Sequence, residues 1–159
     1  SMTVLLAVWA NEGATVVRWE RGVTPTVTSM GLGTTLPLLN SATGRVFLAW
    51  APKPTIENAR DNELRRATRN PALLPDTAPN KTAIAELARQ IRERGFASVD
   101  SQFIPGLVAA AAPILDWQGE AQAAVTVFGV DPKAILPDSP TVKALIAYCR
   151  DCSVVREIA

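Results

Sequence analysis

Residues 36–45 read Leu36-Pro37-Leu38-Leu39-Asn40-Ser41-Ala42-Thr43-Gly44-Arg45, an extended run delivered into a helix start. Asn40 or Ser41 supplies the cap, because a short polar side chain accepts a bond from an amide the helix leaves unpaired. Val46, Phe47 and Trp50 then fall at helical spacing and face a core. Pro52 and Pro54 end this helix near Ala51. The first amides of a helix carry partial positive charge, so those of Ala42, Thr43 and Gly44 suit a carboxylate or similar small anion. Small side chains at these positions let a ligand approach the backbone. An ordinary capped helix accounts for the same residues without a ligand.

Working outward, Thr3–Trp9 (TVLLAVW) is an apolar run suited to a buried strand. Asn11-Glu12-Gly13 makes a tight turn, since glycine and asparagine tolerate positive φ. Ala14–Glu20 pairs back, with Val17 and Trp19 on one side and Val16, Arg18 and Glu20 on the other. Thr24–Met30 is a third β-rich segment, so a three-stranded meander opens the chain. After the first helix, Thr55–Thr68 forms a second, carrying an exposed Asp61–Arg65 pair worth about 0.3 kcal/mol. Residues 70–80 hold Pro71, Pro75 and Pro79 and read as an irregular loop. Asn80 caps a third helix with Ile84, Leu87, Ala88 and Ile91 as its apolar stripe, and Gly95 sits at its left-handed C-terminus.

Strands return at Phe96–Phe103, Leu107–Trp117 and Glu120–Val130, the last two joined at Gln118-Gly119. Leu107, Ala109 and Ala111 share one face, as do Ala124, Thr126 and Phe128. Asp131-Pro132 and Ser139-Pro140 open two final helices with proline in the first turn. The pattern predicts one α+β domain with a mainly antiparallel sheet.

The 159 residues carry 48% hydrophobic and 19% charged side chains, enough for a core without staples. The net charge of +1 argues against a nucleic-acid-binding surface within this chain. With no histidine, Ser–His and Cys–His nucleophile pairs and histidine-containing zinc sites are excluded. No apolar run is long enough to span a membrane, and no signal peptide opens the chain, so a cytoplasmic location with free thiols is expected. Ser1-Met2 reads as a cloning scar ahead of a domain covering residues 3–159.

Cys149-Arg150-Asp151-Cys152 has redox spacing, but falls deep in a terminal helix rather than at a helix start. Cysteines three apart on a helix are more often small apolar core or surface residues than the pair of a thiol oxidoreductase. Asp116 and Asp131 lie where aspartate ends strands or caps helices. Asp100 stands apart, because an alternating strand can aim it inward.

Taken with two later stretches, residues 36–45 resemble a family signature. Leu36-Pro37-Leu38, Ser41 to Arg45 and Leu48-Ala49 are similar to the hallmark of IclR-family bacterial transcription regulators. Arg92, Gly95 and Phe96 resemble the family's glycine-aromatic signature after the third helix. Pro105-Gly106, Ala111 to Ile114, and Ala123 to Val127 with Gly129 resemble its paired strands. The resemblance spans about Thr3 to Val130 and implies the C-terminal effector-binding domain alone, the winged helix-turn-helix that binds DNA being absent. It implies a GAF/profilin-like fold: a curved, mainly antiparallel sheet of six or so strands with helices on both faces.

The resemblance further implies a small-molecule effector, a carboxylate by preference, held against the sheet. The backbone of Ala42 and Thr43 cradles the anion, and Thr28, Leu36, Leu107 and Ala109 form walls. Thr126 and Phe128 close the pocket, with Val99 or Asp100 at the place of a polar contact. Relatives that bind very small acids carry polar residues where Ala109 and Phe128 stand, so an apolar or aromatic acid is expected here unless Phe128 fills the space. No cofactor, metal or catalytic residue is implied. The expected partners are the effector, further copies in a homodimer or homotetramer, and DNA only through the missing domain. The competing functions are a GAF-like thiol oxidoreductase using Cys149 and Cys152, and a ligand-free interaction module.

Overall fold

Alternation in two long N-terminal strands sets up the sheet. In the computed structural model, which describes residues 2–22 and 31–154, β1 (Thr3–Ala10) and β2 (Gly13–Glu20) form a hairpin. Its two turn residues, Asn11 and Glu12, take the positive φ (50° and 71°). Gly13 serves otherwise: a Cβ there would lie 2.3 Å from Thr35 Cγ2, so glycine lets the third strand approach. That strand, β3, is the short Thr35–Leu36 pair beside β2. A meander does open the chain, but its described third strand belongs to the segment that enters the first helix. The segment Thr24–Met30, with Thr28, lies outside the described residues.

The simple alternation expected for β2 fails at Val17. Leu6 pairs with Arg18 and Ala7 with Val16, leaving Val17 as an unpaired bulge that is 48% exposed. The extra residue shifts the phase. Ala14, Val16 and Trp19 therefore share the inner face, instead of Val17 with Trp19.

Three of the four α-helices start at the expected caps, and the helix expected at Asp131-Pro132 is only a 3-10 turn. Ser41 caps α1 (Ala42–Trp50), accepting the Gly44 amide at 2.9 Å. Helix α2 (Lys53–Arg69) begins at Pro52 with proline in its first turn. On it, Asp61 meets Arg60 at 3.0 Å and Arg65 meets Asn62, so the Asp61–Arg65 pair does not form. Asn80 caps α3 (Lys81–Arg94), and Gly95 ends it with φ 88°. Strands β4 (Ala97–Asp100), β5 (Val108–Leu115) and β6 (Ala121–Gly129) precede α4 (Pro140–Cys152), with a single 3-10 turn at Pro132–Ile135 between them.

The sheet order is β3-β2-β1-β6-β5-β4, every neighbour antiparallel. Register shifts at Leu6/Ala7 and Ile114/Leu115 help curl it. Leu5, Ala7, Ala111, Ala124 and Phe128 face a core shared with α1, α2 and α3. Val108, Ala110, Ala112, Val125 and Val127 face a second core under α4. The α+β, GAF/profilin-like architecture with helices on both faces is thus the observed one.

Helix α1 reaches the inner face only because of Gly44. A Cβ at this position would lie 2.0 Å from the Pro37 carbonyl oxygen and 2.6 Å from Leu38 Cα. Gly44→Ala gains about 1 kcal/mol of helix propensity. Backbone overlap outweighs that gain, with an expected net loss of about 3 kcal/mol by urea denaturation.

Candidate functional site

The backbone at residues 37–41 is held by polar groups from three directions, Ser41 and Arg45 buried and Glu63 partly so. Ser41 Oγ donates to the Pro37 carbonyl at 2.6 Å while accepting from Gly44. From α2, the carboxylate of Glu63 accepts the amides of Leu38 (2.8 Å) and Leu39 (2.9 Å). Burial pushes the Glu63 carboxyl above its ordinary range despite these two bonds. From α1, the buried Arg45 donates through Nε to the Leu39 carbonyl at 2.8 Å. Its guanidinium then grips Asp76 with two 2.8 Å bonds and reaches Gln102 at 3.2 Å. Burial pushes Asp76 upward, but its bonds from Arg45 and Gln102 and the Arg45 charge leave it below the usual carboxylate range.

Behind this segment, α1 covers a small cavity on the inner face of the sheet. Leu36, Ala42 and Thr43 line it from above, and Leu107, Ala109, Thr126 and Phe128 line it from the sheet. Val99 faces it, whereas Asp100 lies on the opposite side of β4, exposed and accepting a bond from Ser101 Oγ. Gly44 does not line the cavity: its amide is used by Ser41 and its missing Cβ accommodates Pro37 and Leu38. The amides of Ala42 and Thr43 have no hydrogen bond among those of the described residues. Across the cavity, the Thr43 and Thr126 hydroxyls meet at 2.7 Å, both buried. No charged side chain lines the space.

Four further residues complete the lining: Leu5, Ser41, Phe103 and Ile104. Leu5 shares the inward phase of Ala7 on β1, which the continuous apolar run TVLLAVW does not reveal. Phe103 and Ile104 sit in irregular backbone between β4 and β5, where no periodicity marks them. Phe128 is 2% exposed and meets Trp19 edge-on at 5.2 Å, so it is a fixed wall. The cavity volume is only about 40 Å³. Small-molecule sites usually measure about 300–1,000 Å³, so this space holds one or two waters as it stands.

A larger open groove of about 620 Å³ lies on the other side of Leu36 and Phe103, which line both spaces. Trp9, Pro37, Leu73 and Leu74 give it apolar walls, with Glu63 and Arg66 also lining it. On the far side of the sheet, Cys149 is buried with Sγ 3.6 Å from the Ala112 carbonyl, and Cys152 is exposed. Burial, then the neighbouring Cys152, pushes the Cys149 thiol up to about 12. Among the described residues, no group of three or more His, Cys, Asp or Glu side chains converges to hold a metal ion.

The curled sheet, its covering helices and the capped start of α1 define an α+β domain of the GAF/profilin-like type. The family model for the C-terminal domain of the bacterial transcriptional regulator IclR matches residues 2–153, and the chain belongs to that family. A crystal structure of Pseudomonas aeruginosa HmgR is similar at 35% identity and TM-score 0.78, covering 96% of this chain and 58% of that one. Thermotoga maritima IclR gives 19% identity and TM-score 0.72, with 96% and 58% covered. The C-terminal domain of Escherichia coli KdgR gives 22% and 0.69, with 96% and 85% covered. The last two likenesses are of fold alone. This chain therefore spans a little over half the length of the HmgR and IclR chains. No curated protein matches the sequence.

The Arg45–Asp76 pair yields a stability prediction. Asp76→Ala leaves the buried guanidinium without its anion and is expected to cost about 2 kcal/mol, below the range for fully buried pairs because Asp76 is partly exposed. The pH dependence has a definite sign. With its carboxyl lowered from 3.8, Asp76 contributes stability above that pH, lost as the pH falls through the lower folded value. Acid unfolding curves of the wild type and Asp76→Ala should converge there.

Proposed function

We propose that the chain is the effector-binding and oligomerisation domain of a transcriptional regulator. It senses a small, largely apolar organic acid in the cavity beneath α1. The observation that carries this reading is the composition of that space. Its walls are apolar, and its polar contributions are the paired hydroxyls of Thr43 and Thr126 and the start of α1. Unpaired helix-start amides and two neutral hydroxyls can hold one carboxylate, while apolar walls reject a second charge. Leu36, Ala42, Thr43, Val99, Leu107, Ala109, Thr126 and Phe128 are the proposed contacts. Thr28 stays in the proposal, and Asp100 and Gly44, which do not line the cavity, are not among the contacts.

An effector changes transcription only through unequal affinity for two states of the whole regulator. In this proposal DNA is bound by a module outside residues 1–159, and the domain passes its state through contacts between copies. Membership of a family of transcriptional regulators and the greater length of HmgR and IclR support that division. No helix among the described residues is long and apolar enough to cross a membrane. Within the proposal, the domain works without a cofactor and catalyses nothing.

The thiol oxidoreductase reading fares worse on chemistry. A redox nucleophile needs a lowered thiol pKa, and Cys149 is shifted the opposite way. In native protein at pH 8, a disulfide reagent should label Cys152 fast and Cys149 only on unfolding. Rapid labelling of both followed by an intramolecular disulfide would restore the enzyme.

Calorimetry with benzoate and phenylpyruvate tests the sensor. Binding is expected, and Thr43→Val with Thr126→Val should weaken it by about tenfold, roughly the worth of one buried hydrogen bond. The double variant should still fold, because replacing both partners leaves no orphaned hydroxyl. Binding restricted to sugars or cations would overturn the reading. In the full-length regulator, Thr43→Leu should abolish effector response and spare operator binding.

A further inference from the structure

The inner cavity, with room for one or two waters, is too small for any acid larger than formate, so binding a larger acid requires a wall to move. Most walls are rooted. Leu5, Thr126 and Phe128 are in the middle strands, Thr43 is in α1, and each is at most 2% exposed. Leu36 is 4% exposed in β3. Phe103 differs: it is 38% exposed and sits at no regular element.

The backbone around Phe103 is built as a closed loop on two pivots. Its base is tied by the Ser101 amide to the Leu107 carbonyl at 2.8 Å and by the Gly106 amide to Ser101 Oγ at 3.2 Å. Ser101 and Gly106 both take positive φ, 57° and 81°. Between these points, Gln102 is held by Asn40 and Arg45, while Phe103 has no hydrogen bond among those of the described residues. Swinging one half-exposed ring about its own torsions forfeits little burial. Moving Phe128 would break its edge contact with Trp19 and open the core.

We propose that Phe103 is a movable partition whose displacement joins the inner cavity to the 620 Å³ groove as one site for an arylalkanoic acid. This rests on the effector reading of the cavity. The carboxylate goes inward to the start of α1 and the two threonine hydroxyls. The ring lies outward, among Trp9, Pro37, Leu73 and Leu74, in the place Phe103 vacates. Phe103 is then a specificity-determining residue: it sets the cost of admitting an acid too long for the inner space.

The test compares 3-phenylpropanoate with formate, which share a carboxylate and differ by the phenylethyl group, in calorimetry on the wild type and Phe103→Ala. If the open form is about one-tenth populated, removing the partition tightens 3-phenylpropanoate about tenfold and leaves formate, which fits the closed space, within about twofold. The change in the ratio of the two affinities separates gating from a general structural effect. The thermal midpoint of the variant without ligand should stay close to wild type. Equal changes for both acids, no change for either, or weaker 3-phenylpropanoate binding would overturn the partition while leaving the cavity reading intact. Failure of both proteins to bind either acid would overturn the cavity reading and the partition with it.

Discussion

Backbone meets backbone where Gly44 lies against Pro37 and Leu38, and the rest of the inner face depends on that approach. A side chain at position 44 would hold α1 away from the preceding segment. It would thereby lift Thr43 from Thr126 and uncover the cavity. The contact is reinforced by charge, partly buried on Glu63 and buried on Arg45: Glu63 takes two amides of the segment and Arg45 takes one carbonyl. Isolated buried charges are costly, so each works here because its bonds satisfy it. Arg92 adds a remoter brace by donating to the Ala49 carbonyl near the end of α1.

Much of this was legible from the residues alone. Ser41, Asn80 and Ser139 cap helices because their side chains are short and polar, a local rule that tertiary packing rarely overrides. The facing of Ala109, Ala111, Thr126 and Phe128 followed from period-two alternation, which β5 and β6 obey over this stretch. The family resemblance carried over the same residues agrees with the family match.

What escaped was non-local. The bulge at Val17 depends on the register against Leu6 and Ala7, and nothing within β2 announces it. Glu63 and Asp76 lie in sequence far from the residues they hold, and a carboxylate on a helix or loop reads as solvated surface. Gly44 reads in the sequence as a small residue that lets a ligand approach, whereas its reason is a steric contact that only the folded chain creates. Phe103 lies in irregular backbone, where periodicity carries no information.

The alanine-rich middle of the sheet has a mechanical meaning. Ala109 to Ala112 on β5 lie between α1 on one side and α4 on the other. Alanine has no side-chain torsion, so this strand has no rotamer that can absorb a push and no side-chain entropy to lose when one face tightens. A helix shifted by a few tenths of an ångström on the inner face must be answered by the backbone itself. The centre of the domain is thus a stiff diaphragm rather than a cushion, and strain on one core is felt in the other.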